Sequence, residues 1–277
     1  MISTISGRAV RSVGLAGVVC AVACLAFAGN AAAAFSPGGQ LLRLTHFGFN
    51  TNTSSNWFGY QQGAIEQGGK LFHAISGSWT VPTATQHTSG QAENSADWIG
   101  IGGGCVDANC AVGDQTLIQT GTEQDVSATG QASYDAWYEV IPAPELQITS
   151  MTVAPGDQMQ ASISQIATGA DVWNLTIKDV TRNESFSTTL PYPSTMDTAE
   201  WIEETPLEIG TNAGFAALPN LTDPGFNSAT VNGANPHLTT AEEMQLTDSS
   251  GNVIGSPSAP NSTGNGFSAC TWATSCP

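Results

Sequence analysis

Positive charge is what this sequence has least of. Its 277 residues carry six lysines and arginines against 23 aspartates and glutamates. Two of the six, Arg8 and Arg11, fall in the first 34 residues, which contain no acid; beyond them four bases face 23 acids, a net of −19. No basic patch can be assembled from so few cations, which excludes nucleic acid as a partner. After residue 34 long apolar runs are missing as well, so no later segment offers the roughly 20 apolar residues that a membrane span takes. Histidine is scarce and scattered, at His46, His73, His87 and His237. There is no H-E-x-x-H zinc motif, no G-x-S-x-G elbow and no histidine in a Ser-His-Asp context. The paired Asp-Thr-Gly or Asp-Ser-Gly loops of a two-aspartate acid protease are absent. Neither cysteine spacing after residue 34 is a C-x-x-C pair, so a structural zinc site has no support. No metal and no cofactor are implied. Long helical periods and internal repeats are also lacking.

The first 34 residues have the layout of a secretory signal. Arg8 and Arg11 give the positive start, Val13–Ala28 the apolar run and Ala31–Ala34 the small-residue cleavage region. The expectation is a secreted, extracellular, monomeric protein with no stable membrane association once the signal is gone. Cys20 and Cys24 leave with that signal, and Cys105, Cys110, Cys270 and Cys276 remain. An even number of cysteines in an exported chain favours two disulfides, with three pairings open. The local pairs Cys105–Cys110 and Cys270–Cys276 are preferred, because each pins a short loop. The acid-rich balance also suits acid. Near pH 3–4 most carboxylates sit close to ordinary values of about 3.9 and 4.3, so self-repulsion fades there. With few ion pairs to lose, low pH should not unravel the fold in the usual way.

Short β-branched and aromatic runs are separated by Gly, Asn, Asp, Ser and Pro, the pattern of an all-β sandwich or barrel. Strands are expected at Lys70–Ile75, Trp98–Ile101, Thr116–Thr120, Ser133–Ile141, Gln147–Val153, Gln158–Ile166, Asp171–Asp179, Glu184–Thr189, Glu200–Glu204 and Glu243–Thr247. In Asp171–Asp179 the residues Trp173, Leu175 and Ile177 share one face, expected inward. Asn252–Gly266 reads as a polar loop and Phe267–Trp272 as a final strand.

Three of the segments combine aromatics with carboxylates or a lone amide: Leu117-Ile118-Gln119-Thr120-Gly121, Tyr134-Asp135-Ala136-Trp137-Tyr138-Glu139 and Ala199-Glu200-Trp201-Ile202-Glu203-Glu204. Side chains alternate along a strand, so Glu200, Ile202 and Glu204 share a face, as do Asp135, Trp137 and Glu139. Glu203, on the opposite face from Glu200, is expected to meet solvent. In order with these stand Asn56-Trp57-Phe58-Gly59-Tyr60, Gly77-Ser78-Trp79-Thr80-Val81-Pro82, Trp98-Ile99-Gly100-Ile101-Gly102-Gly103, Pro155-Gly156-Asp157-Gln158 and Gly266-Phe267-Ser268. Taken together, from residue 56 to the end, they resemble the glutamic peptidases, pepstatin-insensitive acid endopeptidases also called eqolisins.

The resemblance implies an antiparallel β-sandwich of two packed sheets, lectin- or jelly-roll-like, with one curved sheet forming a substrate groove. It implies three regions: 1–34 signal peptide, 35–55 lead-in or short pro-segment, and 56–277 catalytic domain. The catalytic glutamine of the family falls on Gln119 and its glutamate on Glu200. Trp98, Trp137 and Glu139 match groove residues, with Glu139 placed to orient Gln119. Glu204 shares the face of Glu200 and is a groove wall or the alternative catalyst. Protein or peptide substrates follow. Some members carry an acid where this chain has Gly102. Their precursors also have a basic propeptide, whereas this lead-in offers only Arg43 and His46, so an electrostatic plug is not expected. Two rivals use the same residues: a lectin-like glycoside hydrolase with Glu139 and Glu200 as its acid pair, and a non-catalytic carbohydrate-binding sandwich. The latter leaves Gln119 without a role.

Overall fold

Alternation sets the inner face of the best-patterned strand. In Val172–Asp179, Trp173, Leu175 and Ile177 are fully buried while Asn174, Thr176 and Lys178 are not. The computed structural model describes residues 40–48, 50–209 and 214–277. The expected signal peptide, and the start of the lead-in with it, lie outside the described residues. One layer runs Glu184–Pro191, Val172–Asp179, Gln158–Gln165, Ala74–Thr80, Gly225–Val231. The other runs Glu243–Thr247, Trp57–Gly63, Thr198–Glu204, Glu93–Gly102, Leu117–Val126, Ala132–Val140. Val253–Pro257 and Phe267–Thr271 hydrogen-bond the two into one continuous path. Pairing within both layers is antiparallel.

Between the layers lies the main core. Ile75, Trp79, Ile163, Leu175 and Ile177 come from the first layer, Ile99, Ile101, Ile118 and Trp201 from the second. This is the antiparallel sandwich expected from the sequence. The second layer is unusual in being covered on both faces: every residue of Trp57–Gly63 and of Thr198–Glu204 is buried. A sheet with one wet face would alternate. Here the outer face carries an apolar cluster of its own, built on Trp57, Trp98, Leu117, Trp137, Ile202 and Met244.

Three strand expectations shift. Lys70–His73 is not strand, which begins at Ala74. Of Gln147–Val153 only Gln147 pairs, at the edge of Ala132–Val140. Val253–Pro257, expected as loop, is a strand despite its polar company; pairing on both sides holds it. The disulfides are the local pair, Cys105–Cys110 and Cys270–Cys276. Among the described residues no helix is long and apolar enough to cross a membrane.

Candidate active site

Register brings the sequence-predicted residues onto one line. Glu139 lies opposite Gln119, Gln119 opposite Gly100, Gly100 opposite Glu200 and Glu200 opposite Gln61. Directly opposed residues share a face, so Glu139, Gln119 and Glu200 all point to the outer side of the second layer. Neighbouring strands sit roughly 4.8 Å apart, which puts the Gln119 and Glu200 Cα atoms about 10 Å from each other. Only Gly100 stands between them. Two residues along comes a line of Trp137, Gly121, Trp98 and Ile202, and two further one of Asp135, Glu123, Ala96 and Glu204. The tryptophans therefore sit beside the Gln119–Glu200 line on the outer face, outside the main core.

Trp98 is fixed at both ends. Its Nε1 donates to Glu204 Oε2 at 2.9 Å, and its ring packs edge-on against Trp57 with centroids 4.9 Å apart. The ring edge rests over Gly100: a Cβ there would meet Trp98 Cζ3 at 2.8 Å and Leu117 Cδ1 at 2.9 Å. Gly100→Ala must push Trp98 aside. The expected cost is about 1–3 kcal/mol of overpacking, checked by thermal unfolding, with a changed tryptophan emission reporting the displaced ring. Gly102, where the resemblance left an acid missing, has φ +92°, and a Cβ there would meet the Thr116 carbonyl oxygen at 2.0 Å. No side chain fits.

The Gln119 amide is oriented as expected: its Nε2 donates to Glu139 Oε2 at 2.7 Å. Its Oε1, the other Glu139 oxygen and both Glu200 oxygens are buried with no protein partner. Burial drives the Glu200 carboxyl well above the ordinary range, opposed by the nearby Thr198 hydroxyl and reinforced by Asp114. Burial also lifts Glu139 to about 8, against the pull of Arg43 and with a push from Glu204. The loop Gly103–Cys105 lies over Glu200, Gly104 so close that a Cβ would stand 2.8 Å from Glu200 Oε1. Gln61 clamps that loop, donating to the Cys105 carbonyl at 2.8 Å and accepting its N–H at 3.0 Å.

Sequence reading missed several residues. Arg43 is fully buried: it pairs with Glu123, reaches Glu145 at 3.0 Å and Glu204 at 3.7 Å, and lies 3.9 Å over the Trp137 ring. One cation of the lead-in thus meets acidic ground, because carboxylates from three separate segments converge on it. The signal available was Arg43 itself, one of only four bases outside the signal. Asn56 holds the rest of the segment, donating to the carbonyls of Leu44 and Thr45 and accepting from the Phe47 N–H. His46 packs against the first disulfide, Nδ1 3.3 Å from Cys105 Sγ. Histidine and cysteines do therefore meet, but both sulfurs are spent in an S–S bond and no thiolate is left for a metal.

Glu203 corrects a second expectation. Instead of meeting solvent it is fully buried between the layers. It sits beside Asp97, with Gln124 Nε2 donating to both carboxyls at 3.3 to 3.4 Å. Its face was read properly, but that face looks onto the second sheet. Burial, and in Glu203 the neighbouring Asp97 as well, raises the pKa of both acids.

A family model described as the peptidase A4 family matches residues 55–266. Aspergillopepsin-2 of Aspergillus niger is 27% identical over 176 residues, 56% of this chain and 57% of that protein. Scytalidopepsin B of Scytalidium lignicola is 29% identical over 133 residues, 48% and 43% of the two chains. The match thus spans about half the length of these curated relatives. Among solved structures, scytalido-glutamic peptidase with a transition state analog inhibitor aligns with a TM-score of 0.60 at 21% identity, over 78% of this chain and 98% of that one. The eqolisin SCP-B, solved in a complex with the tripeptide Ala-Ile-His, gives 0.56 at 22%, with the same coverage. These likenesses fix the fold.

Proposed function

Since the chain belongs to the peptidase A4 family, we propose that it is a secreted acid endopeptidase in which Gln119 and Glu200 hydrolyse the peptide bond between them. One observation carries this reading. Four buried acceptor oxygens on a single line, from Gln119, Glu139 and Glu200, have no protein partner. Folded proteins rarely leave such atoms unsatisfied, so the line is built for a polar ligand. The chemistry is coherent. Glu200 as carboxylate takes a proton from water while the water oxygen attacks the scissile carbonyl carbon. The carbonyl electron pair moves to oxygen, where the Gln119 N–H not held by Glu139 donates to it. Collapse of the tetrahedral intermediate breaks the C–N bond, and Glu200 returns the proton to the leaving amine. Solvent that enters with the substrate relieves part of the burial of Glu200 and lets it ionise in mild acid.

This reading calls on no metal or cofactor, and no pair of aspartates for pepstatin to span stands on the line. The glycosidase pairing sets Glu139 and Glu200 three strands apart with an amide and a glycine between them, and no observation of its own favours it. The deciding experiment is cleavage of an unfolded protein from about pH 2 to pH 7 with pepstatin present. Cleavage confined to acid supports the reading, and a folded chain freed of its lead-in that cleaves nothing sinks it. Glu139→Ala should lower kcat by about ten-fold or more with KM little changed, because the amide loses its orientation in the transition state. An unaltered kcat would remove Glu139 from the machinery.

A further inference from the structure

Gln119 and Glu200 stand on strands separated by a third. Glu93–Gly102 lies between Leu117–Val126 and Thr198–Glu204, so no hydrogen-bond ladder joins the strands of the two reacting groups directly. The tie is made by Asp114, which is buried past the end of that middle strand. Its Oδ1 accepts from the Thr116 N–H at 2.9 Å and from the Thr116 hydroxyl at 2.7 Å. Its Oδ2 accepts from the Asp197 N–H at 3.3 Å. Thr116 immediately precedes the strand of Gln119, and Asp197 immediately precedes the strand of Glu200. One carboxylate thus links both strand entries around the strand that parts them. A second contact backs it, from the Thr195 N–H to the Thr116 hydroxyl at 3.1 Å.

The backbone of the same residue holds the loop that overlies Glu200. The Asp114 N–H donates to the Gly104 carbonyl at 2.8 Å, and the Gly104 N–H donates to the Thr198 hydroxyl at 3.1 Å. Gly104 is the residue whose Cβ would stand 2.8 Å from Glu200 Oε1. Three donors meet the Asp114 side chain and none is asked of it, which suits an acceptor-only carboxylate better than an amide.

We propose that Asp114 is a positioning residue of the reaction, an inference that rests on the peptidase reading above. It fixes the separation of Gln119 and Glu200 and seats Gly104 against the Glu200 carboxyl. Its charge is felt there too. After burial itself, Asp114 is an influence that raises Glu200. The other titratable groups of this corner are Asp197, raised by burial and by Asp114, and Tyr192, raised by burial and more weakly by Asp114 and Glu139. His46, lowered by burial to about 4, flanks the loop through its N–H bond to the Gly103 carbonyl. Glu139 and Glu204 lie farther along the outer face.

The test compares wild type, Asp114→Asn and Asp114→Ala in the folded form used for the cleavage assay above. Asp114→Ala frees both strand entries and should lower kcat about 10- to 100-fold with KM little changed, since a misplacement of about 1 Å costs on the order of 100-fold. Asp114→Asn keeps an acceptor for Thr116 and should lose less. It also removes a like charge, so Glu200 ionises at lower pH and the rising limb of kcat/KM moves in that direction. On that limb, relative to its own plateau, the variant should stand about three-fold or more above wild type. A merely structural role would lower kcat without moving the limb. Glu200 is titrated independently by carbon-13 NMR of its carboxyl carbon, assigned by the signal lost in Glu200→Gln. Its midpoint should fall in Asp114→Asn whether or not the protein cleaves anything, and this arm carries the test if Asp114→Ala does not fold. Full kcat in a folded Asp114→Ala, or an unmoved midpoint in Asp114→Asn, overturns the proposal. A lowered midpoint in a protein that cleaves nothing sinks the peptidase reading alone; cleavage with an unmoved midpoint does the reverse.

Discussion

Glu200→Gln, in a chain freed of its lead-in, should abolish acid proteolysis, with a loss of about 1,000-fold or more in kcat/KM, while the fold survives. Proton transfer by a positioned side chain contributes about 100- to 10,000-fold, and glutamine cannot accept the proton of water. The fold survives because Glu200 makes no hydrogen bond through either carboxyl oxygen. The isosteric amide also removes a group whose ionisation burial opposes, so thermal stability at neutral pH should rise. Gln119→Ala should show the companion loss of about 100- to 1,000-fold, the usual cost of one oxyanion donor. The controls are a superimposable near-ultraviolet dichroism spectrum and Glu204→Gln. Glu204 lies four residues from the Gln119–Glu200 line and already accepts from Trp98, so its replacement should spare most of kcat. Full loss in Glu204→Gln with activity retained in Glu200→Gln would exchange their roles.

The second large effect is on stability. The protein should be most stable near pH 3–4 and lose that stability as the pH rises through 7. Burial raises Glu139 to about 8 and Glu204 to about 7, the latter against the pull of Arg43 and of the hydrogen bond from Trp98. Asp97, Glu203 and Glu123 are raised too, burial leading in each. A carboxyl whose folded pKa lies above its unfolded one binds its proton more tightly in the folded state. Its contribution is therefore complete below about pH 4 and disappears as the pH climbs through the folded value. Glu139 alone, moving from 4.5 to about 8, accounts for on the order of 5 kcal/mol by the top of that window. Ordinary domains have about 5–15 kcal/mol in total. Thermal unfolding followed between pH 3 and pH 8 should show a fall of tens of degrees. Asp97→Asn with Glu203→Gln, which keep shape and discard the charge, should recover part of it at pH 7. A flat profile would mean that these acids reach water in the native state.

Most of the fold was legible, because strand patterning is local and Trp173, Leu175 and Ile177 declare their face by spacing alone. So was the main line of the site. Gln119, Glu139 and Glu200 stand in segments whose aromatic and acidic content marks them, and their faces follow from counting by twos. What the sequence hid was what lies against each face. Glu203 alternates correctly yet meets a second sheet instead of water, and that depends on how the layers stack. Arg43 looked like a stray cation because its partners Glu123, Glu145 and Glu204 are 80 or more residues away. Gly100 gave no signal of this role, since its contribution is to leave room for the edge of the Trp98 ring where any side chain would stand.

The loop Gly103–Cys105 bears directly on Glu200, and it is held by the Gln61 amide, by hydrogen bonds from Gly104 to the Thr198 hydroxyl and from Asp114 to the Gly104 carbonyl, and by the bond from Cys105 to Cys110. Only one of those anchors is covalent, and it forms where thiols are oxidised and not in a reducing cytosol. A chain with these thiols still reduced would therefore hold this corner of the site by hydrogen bonds alone. Passage into an oxidising, acidic exterior would both lock the loop and protonate the buried acids. Were the chain exported as proposed, redox state and pH, two conditions that change in the same crossing, would together set this corner of the site.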